Sequence, residues 1–125
     1  RILVVDDEPE IAGVLAEMLA ADGHLVETAA NGALALDKLR ERGYDLIVSD
    51  LRMPELDGPG LYRELERRDP RLLRRLIFVT GDVLNPETRE FLERTSAPTV
   101  NKPFAMEEVR RVVQQVRRGQ GAREQ

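Results

Sequence analysis

Tyr44-Asp45-Leu46-Ile47-Val48-Ser49-Asp50-Leu51-Arg52-Met53-Pro54 carries an apolar run into a carboxylate and then into a turn. Between Asp45 and Ser49 the run is continuously apolar apart from its ends, the pattern of a central strand covered on both faces. The residues after Asp50 must turn, so the carboxylate is expected at the rim of the sheet, presented to solvent rather than buried. A single Asp at a strand end is usually a helix cap or a turn former. Here it does not stand alone. Ile2-Leu3-Val4-Val5 leads to Asp6 and Asp7, Ile77-Phe78-Val79 leads to Thr80, and Thr99-Val100-Asn101 leads to Lys102. Four strand ends therefore carry three carboxylates, a hydroxyl and an amine.

Helix-period segments separate these runs, which is the signature of an α/β fold with parallel strands. Pro9 suits an early helical position, and Ile11, Val14, Leu15, Met18 and Leu19 follow as an apolar stripe closed by Asp22-Gly23. His24 to Ala29 alternates and reads as a half-exposed strand at the sheet's edge. Asn31-Gly32 opens a second helix with Leu34, Leu36 and Leu39. A third helix spans Pro59 to Arg68 with Leu61 and Leu65, stopped by Asp69-Pro70. A fourth strand spans Leu76 to Thr80. Asn85-Pro86 caps a short charged helix to Arg94 that rests on Phe91 and Leu92, and Val109, Val112, Val113 and Val116 stripe the fifth helix. Right-handed crossovers with helices on both faces favour a flavodoxin-like doubly wound sheet of five parallel strands in the order 2-1-3-4-5.

With 125 residues the chain is one domain with room for a real core. No apolar run approaches the length of a membrane span. The absence of cysteine excludes disulfides, thiolate metal sites and cysteine nucleophiles, and a cytoplasmic location is the default expectation. A net charge of -4 argues against direct nucleic-acid binding. The chain begins on a strand without an initiator methionine, which suggests a domain, residues 1–118, excised from a longer polypeptide that is itself free to be membrane-associated. Residues 119–125 read as a polar frayed tail or linker.

In the order 2-1-3-4-5, strands one and three lie side by side at the switch point where such sheets bind ligands, gathering Asp6, Asp7 and Asp50. Three adjacent carboxylates repel unless a cation joins them, and hard oxygen ligands suit Mg2+. The set Asp6-Asp7, Asp50 with Met53-Pro54 and Asp57-Gly58, Thr80-Gly81 and Lys102-Pro103-Phe104 resembles the receiver domain of two-component response regulators, over residues 1 to about 118. That resemblance implies that Asp50 is the phosphoacceptor, Asp7 a direct ligand of Mg2+ (or Mn2+), Asp6 a ligand through water, and the Arg52 backbone carbonyl a further contact. It implies that Thr80 and Lys102 bind the phosphoryl oxygens, that Lys102-Pro103 is a cis peptide, and that the domain promotes its own phosphorylation and dephosphorylation. The implied partner is a histidine kinase or histidine phosphotransfer domain.

Chemistry supports each role. A carboxylate can attack the phosphorus of a phosphohistidine in line while cations neutralise the equatorial oxygens. The product adds roughly two negative charges, and Thr80 with the Gly81 N–H can move to meet them, making loop 81–84 the natural switch. Thr99 stands where many receivers carry an aromatic switch residue. A smaller rearrangement on activation, and a monomer in both states, are the expectation. The segment Gly81 to Thr99 is similar to receivers at the C-terminus of hybrid sensor histidine kinases; a stand-alone regulator is the alternative. So is a receiver-like interaction module that works without phosphorylation.

Other features carry less. Asp50 and Arg52 do not form the Asp-x-Asp pair of aspartate-nucleophile phosphatases, and Gly58-Pro59-Gly60 is a turn rather than a dinucleotide fingerprint. His24 has no histidine or cysteine partner and reads as a solvated strand residue. Arg63 to Arg75 reads as a solvated helix face and loop, and Tyr44 and Tyr62 carry no motif.

Overall fold

The structure, a computed structural model, describes residues 1–53, 55–81 and 84–124, with side chains described through Arg118. Five strands alternate with five helices: β1 (Ile2–Val5), α1 (Pro9–Ala21), β2 (Val26–Ala29), α2 (Gly32–Glu41), β3 (Leu46–Asp50), α3 (Gly58–Arg68), β4 (Leu76–Thr80), α4 (Pro86–Thr95), β5 (Thr99–Asn101) and α5 (Met106–Glu124). All strand pairs are parallel and the order is β2-β1-β3-β4-β5, as the alternation predicts.

Strand periodicity divides the core into two layers. Ile2 and Val4 of β1 face a cluster built with Leu15 and Leu19 of α1 and the four valines of α5, while Leu3 and Val5 face α2, α3 and α4 through Leu36, Leu61, Leu65 and Phe91. β1, β3 and β4 are buried along their whole length, as continuous apolar strands between two helical layers should be. The short, charged α4 is anchored chiefly by Phe91, which packs edge-on to Phe78 at 5.4 Å and to Tyr62 at 5.6 Å between ring centroids, with Leu92 beside it on the core. Burying a phenylalanine contributes about 1.5–3 kcal/mol, which accounts for a helix with little other apolar surface.

Several local expectations are revised. β2 starts at Val26 rather than His24, because the His24 N–H is still donated to Leu19 O at the end of α1, at 3.3 Å. Val14 and Leu34 are exposed; Ala12 and Ala35 take the buried places beside Leu15 and Leu36. Pro70–Arg75 is a 3-10 helix, not a solvated loop. Its Leu72 and Leu73 pack on the core, and the Arg75 guanidinium donates to Tyr44 O at 2.9 Å. Tyr44 itself is buried, its hydroxyl donating to Glu27 at 3.0 Å. Helix α5 carries on to Glu124, through the segment 119–124 read from sequence as a frayed tail. Among the described residues, no helix is long and apolar enough to cross a membrane.

Candidate functional site

Register builds the site. β1 pairs with β3 so that Val5 lies opposite Ser49, which sets the next residues, Asp6 and Asp50, abreast at the carboxyl edge of the sheet. β4 pairs with β5 so that Thr80 lies opposite Asn101, and the Lys102 N–H donates to Thr80 O at 2.8 Å. Lys102 therefore leaves the sheet beside Thr80, with its Cβ 3.5 Å from where a Cβ on Gly81 would stand. The Lys102-Pro103 peptide is cis. From this point the ammonium crosses to the carboxylates, 3.2 Å from Asp50 Oδ2 and 3.6 Å from Asp6 Oδ2.

The expectation that Asp50 is presented to solvent is wrong: it is 8% exposed, and Asp6 only 3%. Two things cover Asp50. The ammonium of Lys102 lies over Oδ2, and the chain folds back at once, with the Leu51 N–H donated to Oδ1 at 2.8 Å and the Gly58 N–H donated to Leu51 O at 2.9 Å. Neither contact is visible in the strand that ends at Asp50. Thr80 is also buried, whereas Asp7, Arg52 and Gly81 are exposed. Thr99 lies half-buried on β5, its hydroxyl donating to Ala97 O at 3.1 Å. Met53 packs on the core and Asp57 caps α3 through Gly60 N–H, both in structural roles; Pro54, Asp82 and Val83 lie outside the described residues, so loop 81–84 is seen only at its ends.

Electrostatics couple these groups. Burial pushes the Asp6 carboxyl above its ordinary value of 3.8, and the Asp50 charge adds to this; the hydrogen bond from Glu8 N–H, at 2.9 Å, and the Lys102 charge work the other way. Lys102 shows the converse. Its burial favours the neutral amine, but the carboxylates of Asp50 and Asp6 outweigh that and raise its pKa.

Asp6, Asp7, Glu8 and Asp50 each offer an oxygen within 4.8 Å of the others. Among the described residues, Asp6 Oδ2 is the buried side-chain oxygen with no hydrogen-bond partner. An orphaned carboxylate oxygen in an all-oxygen donor set fits a hard divalent cation. Glu8 is the member that sequence reasoning passed over. Its signal was the unbroken acidic run Asp6-Asp7-Glu8, in which the third residue reads equally well as the residue before a helix.

A family model for the response regulator receiver domain matches residues 2–114, and the chain belongs to that family. Receiver domains interact with histidine kinases or phosphotransfer proteins. The chain is 32% identical over 117 residues to the sensor kinase CckA of Brucella abortus, a match covering 92% of this chain but 12% of CckA. It is also 32% identical to the response regulator receiver protein CpdR of Brucella abortus, covering 87% of this chain and 89% of CpdR. Among solved structures, the receiver domain of a signal transduction histidine kinase from Syntrophus aciditrophicus superposes with a TM-score of 0.84 at 31% identity, covering 94% of this chain and 89% of the other.

Proposed function

We propose that this domain is a phosphoacceptor in a two-component phosphorelay, with Asp50 taking a phosphoryl group from a phosphohistidine of a kinase or histidine phosphotransfer domain. The observation that carries the reading is the juxtaposition of Asp50, Asp6 and Lys102 at three strand ends, with one buried oxygen of Asp6 lacking a hydrogen bond. In the transfer, an Asp50 carboxylate oxygen forms the new O–P bond as the P–N bond to histidine breaks, and the imidazole nitrogen leaves with the electron pair. The Leu51 N–H holds the Asp50 carboxylate plane from Oδ1. Lys102, whose ammonium form the two acids favour further, offsets the charge of the incoming phosphoryl oxygens. Asp6, Asp7, Asp50 and the Arg52 carbonyl would hold Mg2+ or Mn2+, with Glu8 beside them. Such an ion supplies charge neutralisation for phosphoryl oxygens facing acidic side chains. Thr80 and the Gly81 N–H would meet the phosphoryl product, and their movement would carry the signal into loop 81–84.

Similarity to CckA and to the Syntrophus histidine kinase receiver supports placing this domain, residues 1–118, in a hybrid sensor histidine kinase. Its near full-length match to CpdR favours a second reading, a stand-alone regulator. In either setting the proposed form is a cytoplasmic monomer. The test is incubation with a small-molecule phosphodonor and Mg2+, read by intact mass. One phosphoryl addition, lost in Asp50→Ala and in excess EDTA, is expected. Phosphorylation that survives EDTA overturns the mechanism, and none in the wild type favours an interaction module instead.

A further inference from the structure

At three glycines around the loop that follows Asp50 a Cβ would meet a neighbouring atom within 3.0 Å, and those atoms lie on a continuous path. At Gly32, the first residue of α2, a Cβ would stand 2.5 Å from the Leu56 carbonyl oxygen and 3.0 Å from Leu56 Cβ and Cγ. That same carbonyl accepts the Gly32 N–H at 2.8 Å. At Gly60, in the first turn of α3, a Cβ would meet Leu56 Cδ1 at 2.6 Å. Leu56 is thus clamped twice, its backbone by α2 and its side chain by α3. The path continues through Asp57, whose Oδ1 accepts the Gly60 N–H at 2.9 Å, to Gly58, whose N–H is donated to Leu51 O. A Cβ at Gly58 would lie 2.8 Å from Leu51 Cα and 3.0 Å from Asp50 O. Leu51 in turn donates its N–H to the Asp50 carboxylate.

We infer that Gly32 is a positioning residue for the acidic site: through Leu56 it fixes the turn Leu56-Asp57-Gly58, whose return onto Leu51 holds the Asp50 carboxylate plane. The inference rests on the phosphoacceptor reading for its consequence, and on the path itself for its geometry. A backbone carbonyl cannot swing aside as the end of a flexible side chain can. A Cβ at residue 32 would therefore displace the loop or the start of α2, not merely rotate a neighbour. Mg2+ tolerates little departure from octahedral geometry, so a shifted loop loses affinity even when the carboxylates are untouched. Groups that orient ligands without touching the metal typically change affinity about 10–100-fold.

The test uses Mn2+ as the probe, with free ion followed by electron paramagnetic resonance, on wild type, Gly32→Ala and Leu56→Ala, well below their melting temperatures. Urea unfolding and amide spectra in EDTA run in parallel. Gly32→Ala is expected to stay folded, to weaken Mn2+ binding about tenfold, and to move the Leu51 amide resonance in the cation-free protein. Leu56→Ala removes the wedge between the two helices and is expected to weaken binding in the same direction. Wild-type affinity in folded Gly32→Ala, with or without lost stability, overturns the inference. Should Gly32→Ala not fold, wild-type affinity in Leu56→Ala overturns it. If the wild type itself binds no Mn2+, the cation reading fails, and the Leu51 amide in the cation-free variants decides the positioning role by itself.

Discussion

Replacing Asp6 with asparagine should make the cation-free protein more stable while weakening its site. Asp6 is 3% exposed, Glu8 N–H is donated to its Oδ1, and Oδ2 has no hydrogen-bond partner among the described residues. One cation attracts it and three acids repel it. At an effective dielectric constant of about 20, attraction to Lys102 at 3.6 Å comes to about 4.6 kcal/mol and repulsion from Asp50, within 4.8 Å, to at least about 3.5 kcal/mol, with Asp7 and Glu8 adding to the repulsion. What remains is the cost of a buried, unsatisfied carboxylate oxygen, about 1–3 kcal/mol. Asparagine keeps the acceptor for Glu8 and removes the charge. A gain of about 1–2 kcal/mol is expected from urea unfolding in EDTA at about pH 7.5. The sign of the pH dependence follows from the raised pKa of Asp6. The folded wild type holds that proton more tightly than the unfolded chain, so Asp6 contributes stability below 3.8 that is lost as pH rises through the folded value. Asparagine does not titrate, so the gap between variant and wild type should be widest near neutrality and close on acidification. An Asp6→Asn protein that is less stable than wild type at neutral pH in EDTA, or a gap that widens in acid, refutes this account.

Lys102→Ala should act in the opposite direction, because it strands two buried carboxylates; a loss of about 2–4 kcal/mol in EDTA, partly restored by Mg2+, is expected from denaturant unfolding. Asp7→Ala removes an exposed charge, so stability should stay within about 0.5 kcal/mol of wild type while Mn2+ affinity, measured by titration, collapses. Ser96 ends α4 in the left-handed region at φ 54°, and Ser96→Gly should add about 1 kcal/mol, read as a higher thermal midpoint with no change at the site. Because Thr99 offers no large apolar rotor, a beryllofluoride phosphoryl mimic should move amide resonances in loop 81–84 far more than those of α4 and α5; widespread shifts there, or dimerisation in sedimentation, would refute this.

What was legible in the sequence is what periodicity controls. Alternation of runs set the order of the strands, and order with register sets Asp6 beside Asp50 and Thr80 beside Lys102. The stripe of valines in α5 and the pair Leu61 and Leu65 in α3 needed only helical spacing. Contacts made at a distance were not legible. Asp50 reads as a rim residue because its strand says nothing of Lys102, far along the chain, or of the return of Gly58 onto Leu51. Gly32 reads as the opening of a helix after the Asn31 cap, and the carbonyl that excludes its side chain belongs to a loop between two other elements. Val14 and Leu34 satisfied a helical stripe by composition, yet small alanines lie closer to the sheet and leave them outside.

The same two distances that explain the burial of Asp50 also set a conflict within the site. Lys102 at 3.2 and 3.6 Å from the two carboxylates is the cation that makes their burial tolerable in the free protein, yet it leaves Asp6 Oδ2 without a hydrogen bond. A divalent ion held by Asp6, Asp7 and Asp50 would take over that compensation and leave the ammonium available for phosphoryl oxygens, as the proposed function requires. Binding of the ion is thereby linked to stability: occupancy of the folded state alone adds RT ln(1 + [L]/Kd), about 2.7 kcal/mol at a hundredfold excess over Kd. That increment should be largest where Lys102 is missing and the acids are otherwise uncompensated. It should be smallest in Asp6→Asn, where both the need for the ion and one of its ligands have gone.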